Sequence, residues 1–237
     1  MKLSEMTWPQ VEAYLQNSKK IIIPVGSTEQ HGPTGIIGID YLSAWSIAEA
    51  VAEKTNTMMT PPLPFGMAVH HMHFPGTMTL SPATYVQVIK ELIQSLRQHG
   101  FEDFTVINGH GGNIAPITTA FCELKQSQEE FKLRLINWWH LKEITDYEKV
   151  HFADKNGFHA TCGEVSVTMF THPHAYENIQ PKDSYPETPS KYHWPMSPKE
   201  FRSHFPDGRM GSQPQLATSN HGEKIFQLAI NAISQTI

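Results

Sequence analysis

Two short runs, IIIPVG from Ile21 and FTVING from Phe104, are apolar with no alternation of polar positions. A strand with one wet face alternates apolar and polar residues, so a continuous β-branched run reads as a strand covered on both sides. Stretches of helical periodicity follow each run. YLSAWSIAEAVAEK comes after the first and APITTAFCELKQ after the second. FKLRLINWW predicts a further strand, TMMTPPLPFG a short strand and loop, and TCGEVSVTMFTH and EKIFQLAINAISQTI two more helices. In SPATYVQVIKELIQSLRQHG, Ser81 stands as N-cap, Pro82 at the first helical position and Gly100 as the stop. Thr7 and Gln10 have capping-box spacing around Pro9 and predict a short first helix. Strands alternating with helices define an α/β fold with a mostly parallel sheet covered on both faces.

With 237 residues and no break in composition, the expectation is a single domain over 1–237. From about Pro173 to Pro214 the chain is rich in Pro, Ser and aromatic residues without periodicity. It reads as an ordered excursion over the site or a subunit contact, because a helical pattern resumes after it. A formal charge of -5 provides no basic surface for a nucleic-acid backbone. Two cysteines, Cys122 and Cys162, are too few for a disulfide framework and agree with a reducing cytosol. The first ten residues hold no apolar signal region, and no run approaches the ~20 apolar residues of a membrane span. The expectation is a cytoplasmic protein with no nucleic-acid or membrane partner.

Ligands of open α/β sheets bind beyond the carboxyl ends of the strands, and two strands here run into unusual loops. IIIPVG continues into STEQHG, where Glu29 and His31, one residue apart, point the same way in an extended segment. Asp40 precedes a helical pattern. It is read either as that helix's N-cap or as a carboxylate whose two oxygens span two ions. FTVING continues into HGGN, where glycines flank His110, and Asn108 and Asn113 fit turn formers. Around the start of a later helix lie His159 and Glu164, the latter at capping-box spacing from Thr161. Histidine is the commonest metal ligand and titrates near neutral pH, so fourteen of them invite attention. The HHMH cluster of His70, His71 and His73 reads as a metal site or as a polar loop. Cys162 beside His159 offers a weak thiol-nucleophile alternative. Trp138 and Trp139 read as core or as a wall for a flat ring.

Taken in order, GSTEQHGP with Asp40 beyond it, FPGTMTL, VINGHGGN and HATCGEVS resemble the creatininase (creatinine amidohydrolase) family from about Ile21 to the ATSNHGEK segment. The resemblance implies a creatininase-like three-layer α/β sandwich with a two-metal centre of Zn, Mn or Fe that hydrolyses an amide, formamide or cyclic-amide C–N bond with metal-activated water. It implies Glu29 and His31 as ligands of different ions, Asp40 as the bridge, and His110 and Glu164 as further ligands. His159, with Glu164 beside it, is implied in proton transfer. It also implies a small-molecule amide substrate and a homo-oligomer, with a hexamer among the expected assemblies. Two positions depart from the family pattern. Gly111 and Gly112 stand where creatininases carry a glutamate ligand, which disfavours creatinine as substrate. Thr34 and Gly35 replace a histidine and a leucine and leave pocket polarity open. Relatives with NGHGGN include deformylases of flavin and deazaflavin synthesis and a peptidase of mycofactocin maturation. The competing expectations are a metallopeptidase acting on a small peptide and a non-catalytic metal-containing binding or regulatory protein.

Overall fold

The computed structural model describes residues 1–127, 130–189 and 191–237. Four parallel strands, β1 (Lys20–Val25), β2 (Met58–Met59), β3 (Asp103–Asn108) and β4 (Lys132–Asn137), form a sheet in the order β2-β1-β3-β4. The apolar runs are central strands, as their lack of alternation requires: Ile21 to Val25 of β1 are all buried.

Side chains of successive strand residues still leave on opposite faces. Ile21, Ile23 and Val25, with Phe104 and Val106, pack against α1 (Trp8–Leu15), α3 (Pro82–Gln98) and α4 (Ile114–Ser127). Ile22 and Ile107 face the other layer, built from α2 (Ile39–Lys54), α5 (Lys142–His151), α6 (Cys162–Thr171) and α8 (Ser219–Ser234). The result is the expected three-layer α/β sandwich. Ser81 caps α3 by accepting from the Thr84 amide at 3.2 Å, and Gly100 follows the helix with φ +101°.

Several local readings differ. KEITDYEKVH forms α5, unforeseen because its apolar positions are sparse: Ile144 is its one fully buried aliphatic residue. The strand through FKLRLINWW stops at Asn137, and Trp138–His140 is a 3₁₀ turn. Trp138 is core, whereas Trp139 reaches the cavity described below. The Pro-rich excursion contains α7 (Pro198–His204), started by a Ser197–Glu200 capping box. It lies over the strand ends, so Tyr192, Trp194 and Met210 line the same cavity.

The N-terminal turn of α2 is pressed onto the carboxyl ends of β1 and β3. A Cβ on Gly26 would lie 2.4 Å from the Tyr41 backbone, and one on Gly109 would lie 2.0 Å from the Asp40 carbonyl oxygen. Only glycine permits this approach. Gly109→Ala is therefore expected to destabilise the fold by on the order of 1–3 kcal/mol through overpacking. It should also weaken divalent-metal uptake by moving Asp40; thermal melts together with metal titration of the variant check both effects.

Candidate metal centre

Asp40 is the second residue of α2, and the N-cap position belongs to Gly38. Its carboxylate is thus free of capping. It is 2 % exposed and sits between two histidines: Oδ1 is 2.9 Å from His31 Nε2 and Oδ2 is 3.0 Å from His110 Nδ1. His31 comes from the loop after β1 and His110 from the loop after β3, so neighbouring strand ends deliver the pair. Glu29 Oε1 lies 3.2 Å from His110 Nδ1, and Glu164 Oε1 lies 4.0 Å from His31 Nε2. Two groups capable of holding an ion follow, Glu29/Asp40/His110 and His31/Asp40/Glu164, each with its donor atoms within 4.8 Å of one another. They share Asp40. A third grouping of Glu29, His31 and His159 meets the same limit.

The donor atoms crowd together with their hydrogen bonding incomplete. Glu29 Oε1, His31 Nε2 and Asp40 Oδ2 are buried and have no hydrogen-bond partner, a costly state unless a cation satisfies them together. The far side of each ring fixes which nitrogen faces the carboxylates and would turn its lone pair to a metal once its proton leaves. His31 Nδ1–H donates to the Glu29 carbonyl at 3.1 Å, and His110 Nε2–H donates to the Met67 carbonyl at 3.0 Å. This backbone anchoring fixes tautomer and ring orientation in metal-ligating histidines. A carboxylate and imidazole set with no thiolate suits Zn, Mn or Fe. The residues present fit a pair of divalent ions.

Glu164 serves two tasks at once. Its Oε1 accepts from the Thr161 amide at 2.5 Å, completing the expected capping box, while the same carboxyl faces His31. Asn108 and Asn113 are structural staples. Asn108 accepts from the His110 amide at 3.0 Å and donates to the His110 carbonyl at 2.7 Å, and Asn113 donates to the Gly26 carbonyl at 2.9 Å. A Cβ at Gly112 would lie 2.2 Å from the Met67 carbonyl oxygen and 2.4 Å from His110 Nε2. A side chain there would therefore break the anchor of His110.

Sequence reasoning missed Gln30 and left His71 unassigned. Gln30 Oε1 accepts from the Gly32 amide at 2.8 Å, which orients the amide group. Its Nε2 then donates to His71 Nδ1 at 2.8 Å and to the Gly208 carbonyl at 3.0 Å. His71 therefore carries its proton on Nε2, which lies 3.3 Å from Glu29 Oε1. The only sequence signal was the HHMH run. Its three members do not converge on one point: His70 stacks on His71 with ring centroids 4.0 Å apart but turns toward Trp194 and Phe201, and His73 is exposed. The reading of that run as a metal site of its own is not supported: among the described residues no such group forms. His159 Nε2–H donates to the Gln30 carbonyl at 2.8 Å, leaving Nδ1 toward Glu29 Oε1 at 3.9 Å.

Electrostatics follow from this packing. Burial alone would raise Glu29, but the charges and contacts of His110 and His71 outweigh it and hold its pKa well below the ordinary value. His31 is raised to about 10, because burial, which lowers it, is overcome by Asp40. His110 is likewise raised, against burial, by Glu29 and Asp40. Burial and the neighbouring His71 and His31 hold His159 well below its usual value, so its ring is neutral. Burial carries Glu164 to about 7, and burial together with Glu164 does the same for Glu148. Cys162 is bonded to the Lys155 and Gln213 carbonyls and is pushed up to about 11 by burial, which removes the thiolate alternative.

A cavity of about 510 Å³ opens onto these residues. Trp139, Phe158, Tyr192 and Trp194 form its apolar walls, and Thr145, Glu148 and Asn156 add polar groups. Thr34 lines a different, smaller pocket with Val165, Met169 and Tyr176, so the departure at that position does not set the polarity of this cavity.

A parallel α/β/α sandwich that gathers two histidine–carboxylate groups around one aspartate at its strand ends defines a site able to hold divalent metal. The particular family follows from comparison: the chain belongs to the creatininase family, whose description is creatinine amidohydrolase and which matches residues 4–237. Creatinine amidohydrolase of Pseudomonas putida is 25% identical over 253 residues, covering 99% of this chain and 95% of that protein. The 3-dehydro-scyllo-inosose hydrolase of Thermotoga maritima is 32% identical over 57% of this chain and 44% of its own length. The mycofactocin precursor peptide peptidase of Mycolicibacterium smegmatis is 31% identical over 44% of each chain. Among solved structures, a creatininase variant superposes with TM-score 0.82 at 24% identity, covering all of this chain and 96% of the other. Related creatininase structures are described as Zn–Zn type and as the Mn form. The relatives are hydrolases, and the family is metal-dependent. Among the described residues no helix is long and apolar enough to cross a membrane.

Because His31 and His110 hold protons near pH 7 when no ion is bound, metal uptake should expel them. Calorimetric titration with Zn in buffers of different ionisation enthalpy should show proton release at pH 7. For His31 the release should decline as pH passes about 10. Replacing His71 with Phe removes the Nε2–H beside Glu29 and should weaken metal binding by about 10–100-fold, the usual cost of losing such an outer partner; the same titration reads it.

Proposed function

We propose that the protein is a hydrolase of small molecules that cleaves an amide, formamide or cyclic-amide C–N bond. Glu29, His31, Asp40, His110 and Glu164 would hold the divalent metal, with Asp40 common to the Glu29/His110 and His31/Glu164 groups. The observation that carries this reading is the Asp40 carboxylate, with one oxygen 2.9 Å from His31 Nε2 and the other 3.0 Å from His110 Nδ1. Zn, Mn or Fe bound there would polarise a carbonyl and bring the pKa of water from 15.7 toward about 7. A cavity of about 510 Å³ matches the ordinary size of a small-molecule site.

The chain's own residues supply the proton handling. His159 is neutral and keeps its lone pair on Nδ1, since Nε2–H is committed to the Gln30 carbonyl. It accepts a proton from the attacking water at Nδ1 and returns it to the departing nitrogen, acting as base before acid. His71 and Gln30 hold Glu29 in place, and the anchored rings of His31 and His110 cannot turn away from the centre. The same reading takes residues 1–237 as one domain in a cytoplasmic homo-oligomer, a hexamer among the assemblies to test by light scattering.

Asp40→Ala and His110→Ala should each lose tightly bound metal and turnover. If the purified wild type binds no divalent metal and both variants stay fully active, the reading fails. His159→Ala should keep its metal and lose about 10²–10⁴-fold in turnover. Loss of metal in that variant would make His159 a ligand, the role its grouping with Glu29 and His31 also permits. A hydrolysis panel of cyclic ureides, lactams, formamidopyrimidines and small peptides, run with each metal restored, names the substrate class and decides against the peptidase alternative if peptides alone are untouched.

A further inference from the structure

Glu148 is a buried acid that the chemistry above leaves unused. It lies on α5 and is 8% exposed, yet it lines the same cavity as Glu164, Asn156 and Trp139. No Lys, Arg or His among the described residues lies within ion-pairing distance of it. A buried carboxylate normally has a cation or several donors, because burial strips it of water.

The carboxylate is also held in place. The Asn156 amide hydrogen-bonds it, and Asn156 Oδ1 accepts from the Gly163 amide at 3.2 Å, tying the pair to the first turn of α6. A Cβ at Gly163 would lie 1.8 Å from Glu148 Oε1, so the glycine makes room for the carboxylate against the helix backbone. Thr145, one turn earlier on α5, borders the cavity beside it. Opposite in chemistry are the apolar walls, Trp139 and Phe158 among them, which suit the faces of a flat ring.

We propose that Glu148 is a specificity-determining contact: it receives the N–H edge of an amidine-like group on a planar, nitrogen-bearing substrate whose scissile bond lies at the Asp40 end of the cavity. The assignment rests on the hydrolase reading of this cavity for the word substrate, but the contact itself is a matter of binding. Two parallel N–H donors on one edge match a carboxylate in the way a guanidinium does. A ligand without that edge leaves the acid buried and unpaired.

The test uses metal-loaded protein and two flat probes of similar shape, benzamidine and benzamide, with binding measured by calorimetry. In Glu148→Gln the ratio of benzamidine to benzamide affinity should fall at least about tenfold, while metal content stays at the wild-type level. Glu148→Asp, which withdraws the carboxylate by one methylene, should give a smaller fall. An unchanged ratio in either folded variant overturns the proposal. A crystal of the wild type soaked with benzamidine should show the amidinium within hydrogen-bonding distance of Glu148, and its binding elsewhere in the cavity also overturns it, whatever the variants do. Because no turnover is needed, a protein that shifts the ratio but hydrolyses nothing on the amide panel would refute the proposed reaction and leave the Glu148 contact standing. A protein that hydrolyses amides without the shift would do the reverse.

Discussion

The Asp40 carboxylate is where the demands of packing and of charge meet. It is buried against the strand ends, with a histidine at each oxygen and Glu29 and Glu164 close behind. Such a concentration of donors is tolerable in a low-dielectric interior only when a strong positive charge answers it. The surrounding architecture keeps that arrangement from relaxing. Gly26 and Gly109 let the first turn of α2 touch the sheet, and backbone carbonyls of Glu29 and Met67 hold the two imidazoles from behind.

A second layer extends this control to the excursion over the site. Gln30 joins His71, and through it Glu29, to the Gly208 carbonyl, while His159 pairs its backbone with Met210. Arg209, fully buried, binds Asp207 and the carbonyls of Ser212 and Pro186, and so shapes the loop that presents Gly208. The segment that closes the cavity and the residues that hold the charge are therefore parts of one hydrogen-bonded system. A change in either is felt by the other.

Some of this was legible in the chain itself. Unbroken apolar runs predicted strands covered on both sides, and Ser81, Pro82 and Gly100 marked the limits of α3 where the structure has them. Asp40 was ambiguous because an acid beside a helix start satisfies both capping and ligation in one dimension. The structure moves the cap to Gly38 and frees the carboxylate. For Glu164 the same ambiguity dissolves differently, since the capping bond and the approach to His31 coexist. KEITDYEKVH passed unnoticed because a helix with few buried residues has little periodicity to display.

What the sequence determined by itself was the local physics: which runs must be covered by helices, where helices begin and end, and which loops carry groups able to bind a metal. Tertiary structure decided which of those groups meet. His71 rather than His70 or His73 faces Glu29, Trp139 rather than Trp138 reaches the cavity, and Thr34 turns away to another pocket. The reason is physical. Propensity and periodicity act over a few residues of chain, whereas a contact between a loop after β1, a loop after β3 and the start of α6 depends on how parallel strands and their crossover helices stack in space.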